Sequence, residues 1–200
     1  MTEETKIIVQ AINRKALKIK IQAIEGSTYI PHRLTDEAVE KFMGREIGQT
    51  KKKKIRNYDQ EYESSFYYTE KKEYGIPTSA FTSAILNAAV ACNIPKTQIK
   101  RAVRVLGEIL PLKYAKVRKR IDHPRRSGIT SAPDTRVRPE FVDWSTTLFI
   151  EYDSNQISPD QIINLVNQAG FSSGVGDWRP SAPKSSGIHG MFKVVGGDKS

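Results

Sequence analysis

Hydrophobic and polar residues alternate along residues 16–25, where Leu17, Ile19, Ile21 and Ala23 stand against Lys18, Lys20 and Gln22. A period of two over this length predicts a strand with one wet face, ended by Gly26-Ser27. Thr35-Asp36-Glu37 reads as a helix start with acids in its first turn, and that helix stops near Gly44. Lys51 to Lys54 predict a basic loop. Residues 58–68 form a tyrosine-rich stretch that predicts a short helix feeding a hairpin through Gly75. Pro77-Thr78-Ser79 opens the most apolar helix, with Phe81, Ala84, Ile85, Ala88 and Ala89 at helical spacing. Asn93-Ile94-Pro95 breaks it, and residues 96–106 predict a further helix ending at Gly107. Alternation returns over residues 109–121 and again over 141–152, where Trp144, Thr146, Leu148, Ile150 and Tyr152 share the apolar face. Ser158-Pro159-Asp160-Gln161 has the spacing of a capping box, and the stripe Ile162, Leu165, Val166 and Ala169 predicts a helix ended by Gly170. A short strand over residues 187–195 closes the chain.

The order strand, helices, strand, strand, helix, strand predicts an α+β protein of the ferredoxin-like (split βαβ) plan, an antiparallel sheet with helices on one face. Core strands are expected at about 16–25, 109–121, 141–152 and 187–195, in a single domain over residues 1–200. The block at about 34–106 exceeds one crossover helix and is expected to be a helical insertion. Residues 112–140 are expected to form a long basic β-hairpin arm.

The net charge of +10 changes the picture, because it points to a polyanionic partner. It is also unevenly placed. Residues 112–140 hold nine basic residues against three acidic ones, so under a sixth of the chain carries more than half of the surplus. Lys116, Arg118, Arg120, Arg125, Arg126, Arg136 and Arg138 are the phosphate-contact candidates there, since a guanidinium meets phosphate through a planar fork. A charge cluster of this kind is the footprint of nucleic-acid binding. The alternative is a solvated basic loop. Near the end of the chain, Gly174 and Gly176 precede Trp178 and Arg179, and Gly187 and Gly190 flank His189. Such a loop predicts an anion cradle built from the amides of Gly174 and Gly176. Arg179 would add a charge, Trp178 a surface for base stacking and His189 a backbone contact. Trp144 reads as core.

One cysteine excludes an intrachain disulfide framework and fits a cytoplasmic protein. No apolar run reaches the roughly 18 residues of a membrane span, and the polar start does not read as a secretory signal. No cofactor or metal site is expected: histidines and the cysteine lack zinc-ligand spacing, and no G-K-[ST] phosphate loop or paired acidic motif is present.

The stretch Gly174-Val175-Gly176-Asp177-Trp178-Arg179, followed by Gly187-Ile188-His189-Gly190-Met191-Phe192-Lys193-Val194, resembles the glycine-rich loop of the RAMP superfamily of CRISPR systems. Residues 75–81 are similar to the segment leading into a helix near bound RNA in that superfamily, and the basic hairpin is similar in placement to the thumb of its backbone subunits. The stretches Arg138 to Trp144 and Gly176 to Pro180 also resemble those of small bacteriophage and prophage proteins. These resemblances imply a ferredoxin-like RNA-binding protein, phage-encoded in a bacterial cytoplasm, assembling as a homo-oligomer along a strand.

The expected function is therefore a non-catalytic binder of single-stranded RNA or DNA. Two other readings stand beside it. One is a protein-interaction module, such as an inhibitor mimicking a CRISPR subunit. The other is a metal-independent endoribonuclease with His32 as general acid or base, since some members of that superfamily use a histidine in this way.

Overall fold

The computed structural model describes residues 11–31, 33, 57–123, 135–183 and 186–199. The expected helix at 35–43, the four lysines at 51–54 and His32, Arg125 and Arg126 lie outside the described residues.

A four-stranded antiparallel sheet forms the centre. Strand β1 (Arg14–Ala23) turns Leu17, Ile19 and Ile21 inward, at no more than 2% exposure. It is flanked by β7 (Ser145–Asp153) and β8 (Phe192–Lys199), and β3 (Val103–Val105) adds to the outer side of β7. The order β3-β7-β1-β8, with α2 (Thr78–Ala91) between β1 and β3 and α4 (Pro159–Ser172) between β7 and β8, is the ferredoxin-like arrangement. Helices α2 and α4 pack on one face. Phe81, Ala84 and Ala88 from α2 and Ile162, Val166 and Ala169 from α4 are buried in one core with β1, β7 and β8. Ser158 and Gln161 cap α4 reciprocally, at 3.3 and 2.9 Å.

The structure corrects the expected core strands. The second one is Val103–Val105, which the helical pattern had absorbed: α3 (Lys96–Ala102) stops at Ala102, and Val103 and Val105 pair with Tyr152 and Ile150 of β7. The stretch 109–121 is divided. Strand β4 (Ile109–Pro111) pairs with β2 (Gly75–Pro77), and β5 (Lys116–Asp122) pairs with β6 (Arg136–Val142). The stretch 141–152 is likewise broken, because Asp143 takes a φ of 52° and separates β6 from β7. The closing strand begins at Phe192 rather than 187. Gly170 lies inside α4. A Cβ there would sit 2.0 Å from the carbonyl oxygen of Phe192, so the glycine lets β8 cross the helix closely. Much of the expected insertion is core, since α2 is one of the two sheet-covering helices.

The tyrosine-rich stretch begins with α1 (Tyr58–Ser64), capped by Asn57, and closes through a Tyr68–Tyr74 bridge. Its rings pack. Phe66 stacks on Tyr74 at 4.6 Å and meets Phe141 of β6 edge-on at 6.0 Å. Phe141 also exchanges both backbone hydrogen bonds with Tyr29. The base of the β5–β6 hairpin is thus tied into the core and is not a freely projecting arm.

Candidate nucleic-acid interface

Glu140 organises the hairpin. In β6 it stands opposite Arg118 of β5, is 3% exposed, and accepts a hydrogen bond from Arg118 Nε at 2.6 Å. Its carboxylate also accepts from Thr28 Oγ1 at 2.7 Å and Arg120 Nη1 at 3.2 Å. Burial pushes its pKa up. The hydrogen bonds from Arg118 and Thr28 and the charges of Arg118 and Arg120 outweigh that and bring it to about 2. Arg120 is further fixed by Asp122 at 2.9 Å.

His189 joins this group from the glycine loop. Its Nδ1 lies 2.8 Å from Thr28 Oγ1 and its Nε2 3.3 Å from Arg120 Nη1. Thr28 has one hydroxyl proton, which it gives to Glu140, so His189 Nδ1–H donates to Thr28. Arg120 carries only donors, so Nε2 is the bare, accepting nitrogen. This is a neutral imidazole of defined tautomer. Burial, followed by the positive charge of Arg120, holds its pKa below the ordinary value. His189 is a latch between the hairpin, the β1 exit and the glycine loop.

The glycine loop is closed by its own chain. The amide of Gly174 donates to Ala169, that of Val175 to Gly190 and that of Asp177 to Ile30. The expected anion cradle is therefore not built from Gly174, which is buried with its N–H committed. Gly176 is required by packing: at φ 80°, a Cβ would lie 2.2 Å from the Ile30 carbonyl oxygen. Trp178, partly exposed, holds a φ of 56°, a left-handed backbone that is costly for a bulky residue.

Arg138 and Arg179 are struts. Arg138 is 11% exposed and reaches both Pro31 O and Asp177 Oδ2 at 2.8 Å, joining β6 to the loop. Arg179 folds back onto Gly176 O at 2.7 Å and Ser181 Oγ at 3.2 Å. Arg136 is half-buried opposite Asp122 in register. Among the described cations of the hairpin, those facing solvent are Lys116, Lys119 and Arg118, whose side chain is 56% exposed although its Nε is anchored. Lys119 is shared with Asp59 and the Tyr62 ring. Sequence reasoning missed Thr28, Glu140 and Asp177 as the groups that orient these cations. The one available signal was Glu140 itself, an acid inside a basic alternation.

Among the described residues no group of three His, Cys, Asp or Glu side chains is placed to hold a metal ion, and no helix is long and apolar enough to cross a membrane.

The fold and site define a ferredoxin-like α+β protein whose basic hairpin is latched to a glycine loop. No family model matches the chain, and no curated protein matches it. Among solved structures it is similar to a chain of the cryo-EM structure of the Type III-B Cmr-beta bound to cognate target RNA, with a TM-score of 0.51 and 10% identity. The similarity covers 92% of this chain and 60% of that one, and at this identity it speaks to the fold alone.

Proposed function

We propose that this chain is a non-catalytic protein that binds single-stranded nucleic acid, RNA foremost, along the β5–β6 hairpin. The observation that carries the reading is Arg118. Its Nε is anchored to a buried carboxylate while most of its side chain faces water, so its remaining N–H groups are oriented before any ligand arrives. Lys116 extends the same face of the strand. The charge surplus of the hairpin region, the RAMP-like glycine loop and the fold shared with a chain of an RNA-bound Cmr-beta support RNA as the ligand. Copies lined up along one strand, with the hairpin as a thumb, belong to the same reading.

One observation removes a candidate for cleavage: both nitrogens of His189 are engaged within the protein. The endoribonuclease reading rests on His32, outside the described residues, and is left to the experiment. The test is fluorescence anisotropy with labelled single-stranded RNA, single-stranded DNA and duplex over a salt series in EDTA, with the products run on a gel. Salt-sensitive binding of intact single strands is expected. Cleaved RNA overturns the non-catalytic part, and no binding at low salt overturns the whole and leaves a protein partner.

A further inference from the structure

The helices cover one face of the four-stranded sheet, and the opposite face carries its own chemistry. Strand alternation puts Lys18 and Lys20 of β1 on that face, directly across from Phe149 and Thr147 of β7. Phe149 is 46% exposed, and Lys18 Nζ lies 5.9 Å from its ring centroid. Lys113 bridges to Ser145 at the end of β7, and Lys18, Lys20, Lys113 and Phe149 line one open groove of about 530 Å³. Six basic residues (Arg14, Lys18, Lys20, Arg104, Lys113 and Lys193) belong to this side. Against them stands Glu151, shared between Arg14 at 3.6 Å and Arg104 at 3.8 Å; in the backbone register Lys18 is paired with Asp198.

The floor of the groove holds the second clue. Gly196 pairs with Lys20 beside a β-bulge, and a Cβ built on it meets nothing within 4 Å. Its φ is not in the left-handed region either. Gly170, Gly176 and Gly190 are each demanded by a backbone atom that a Cβ would strike, but no packing or backbone geometry demands Gly196. A glycine inside a strand weakens it and is kept at a bulge, at a tight bend or where a ligand approaches closely; the neighbouring bulge does not require Gly196, since its φ lies outside the left-handed region that a bulge glycine supplies.

We infer that the open sheet face is a second single-strand site, separate from the hairpin, in which a base stacks on Phe149. Lys18, Lys20 and Lys113 meet the flanking phosphates, and Gly196 leaves room for the nucleotide. An aromatic ring ringed by cations on an open sheet has the two parts that sequence-tolerant single-strand binding needs, a stacking surface and a charged track. The inference rests on nucleic acid being the ligand, as proposed above, but not on the hairpin being its site.

The experiment uses the full chain and a labelled single-stranded RNA, comparing wild type with Phe149→Ala, Gly196→Val and Lys116→Glu, each checked for an undiminished melting temperature. Loss of stacking is expected to weaken binding roughly 5- to 150-fold in Phe149→Ala. Gly196→Val is expected to weaken binding while melting at or above the wild-type temperature, since valine suits a strand and a Cβ here meets no atom within 4 Å. Photocrosslinking of 4-thiouridine-substituted RNA is expected to label the peptide containing Phe149. If both sheet variants bind like wild type while Lys116→Glu is impaired, the sheet site is wrong and the hairpin reading stands. If only the sheet variants are impaired, the sheet site stands and the hairpin interface falls. If the wild type binds no single strand, both fall.

Discussion

Arg118 Nε lies 2.6 Å from Glu140 Oε2 across the β5–β6 hairpin, pairing a mostly exposed guanidinium with a carboxylate that is 4% exposed. Such a pair is asymmetric. The cation keeps its hydration on one side, whereas the anion depends on its protein partners. Removing the anion leaves Arg120, Thr28 and His189 facing an empty polar site. Glu140→Ala is therefore expected to destabilise the fold by about 1–3 kcal/mol, the cost of leaving buried hydrogen-bonding partners unsatisfied, and Arg118→Ala by less, because Arg120 and Thr28 still hold the carboxylate. Urea unfolding of the two variants decides it. Equal losses would mean that Glu140 draws no support from Arg120 and Thr28.

The same cluster sets a pH dependence with two steps of like sign. The folded pKa of His189 is depressed, so the unfolded chain takes up the proton more readily and stability falls as pH drops through about 6.5, the unfolded value. The folded pKa of Glu140 is also depressed, to about 2 from 4.5, so its contribution is whole above 4.5 and is lost as pH falls from there toward 2. That second loss is on the order of 3 kcal/mol. His189→Asn, which can still donate to Thr28 but does not titrate, is expected to abolish the first step and keep the second. Urea midpoints at closely spaced pH values read both.

Much of this architecture was legible in the chain. The alternation of Leu17, Ile19 and Ile21 and the stripe of Ile162, Leu165, Val166 and Ala169 fold as their patterns predict, because each repeats often enough to outweigh local noise, and the Ser158–Gln161 box does so because its two partners lie within one helical turn. Strand β3 was not legible. Three residues, Val103-Arg104-Val105, are too few to show a period of two against a helical run. The site was only half legible. Positive charge was visible, but whether Arg138 faces solvent or braces the fold depends on Asp177, which reaches it only in three dimensions, and Arg179 folds back on Gly176 through a local turn that no pattern in the chain announces. The glycines misled for a related reason. Open space for a ligand and close approach of the protein's own backbone both exclude a side chain, and composition does not separate them.

That ambiguity gives a graded prediction. At Gly190 a Cβ would sit 1.7 Å from the Val175 carbonyl oxygen, on a backbone with φ of 68°. Left-handed strain alone costs about 1–3 kcal/mol, and the clash forces the loop off Val175 and Thr28, whose backbone it holds. Gly190→Ala is expected to lower the melting temperature sharply. Gly26→Ala, on a φ of 78° with open space around it, is expected to cost only the strain. Gly196→Ala is expected to cost nothing. Differential scanning calorimetry of the three variants should rank them in that order, and a Gly190→Ala protein as stable as wild type would show that the loop is not packed as described.

The hairpin cations should separate by chemistry as well as by charge. Lys116 is exposed, a point charge on the same face as Arg118. Lys116→Ser is expected to weaken single-strand binding for every sequence alike and to reduce the slope of log affinity against log salt by about 0.7, the value for one phosphate on a single strand. Arg118→Lys keeps the charge but cannot anchor to Glu140 through Nε while turning further N–H groups outward. It is expected to leave the salt slope nearly unchanged and still bind more weakly, because a flexible ammonium must be ordered as the ligand arrives. Anisotropy titrations between 50 and 200 mM salt, roughly the range over which phosphate contacts are most visible, resolve the two. A slope lost with Arg118→Lys and kept with Lys116→Ser would reverse the roles, making Arg118 a charge contact and Lys116 a bystander.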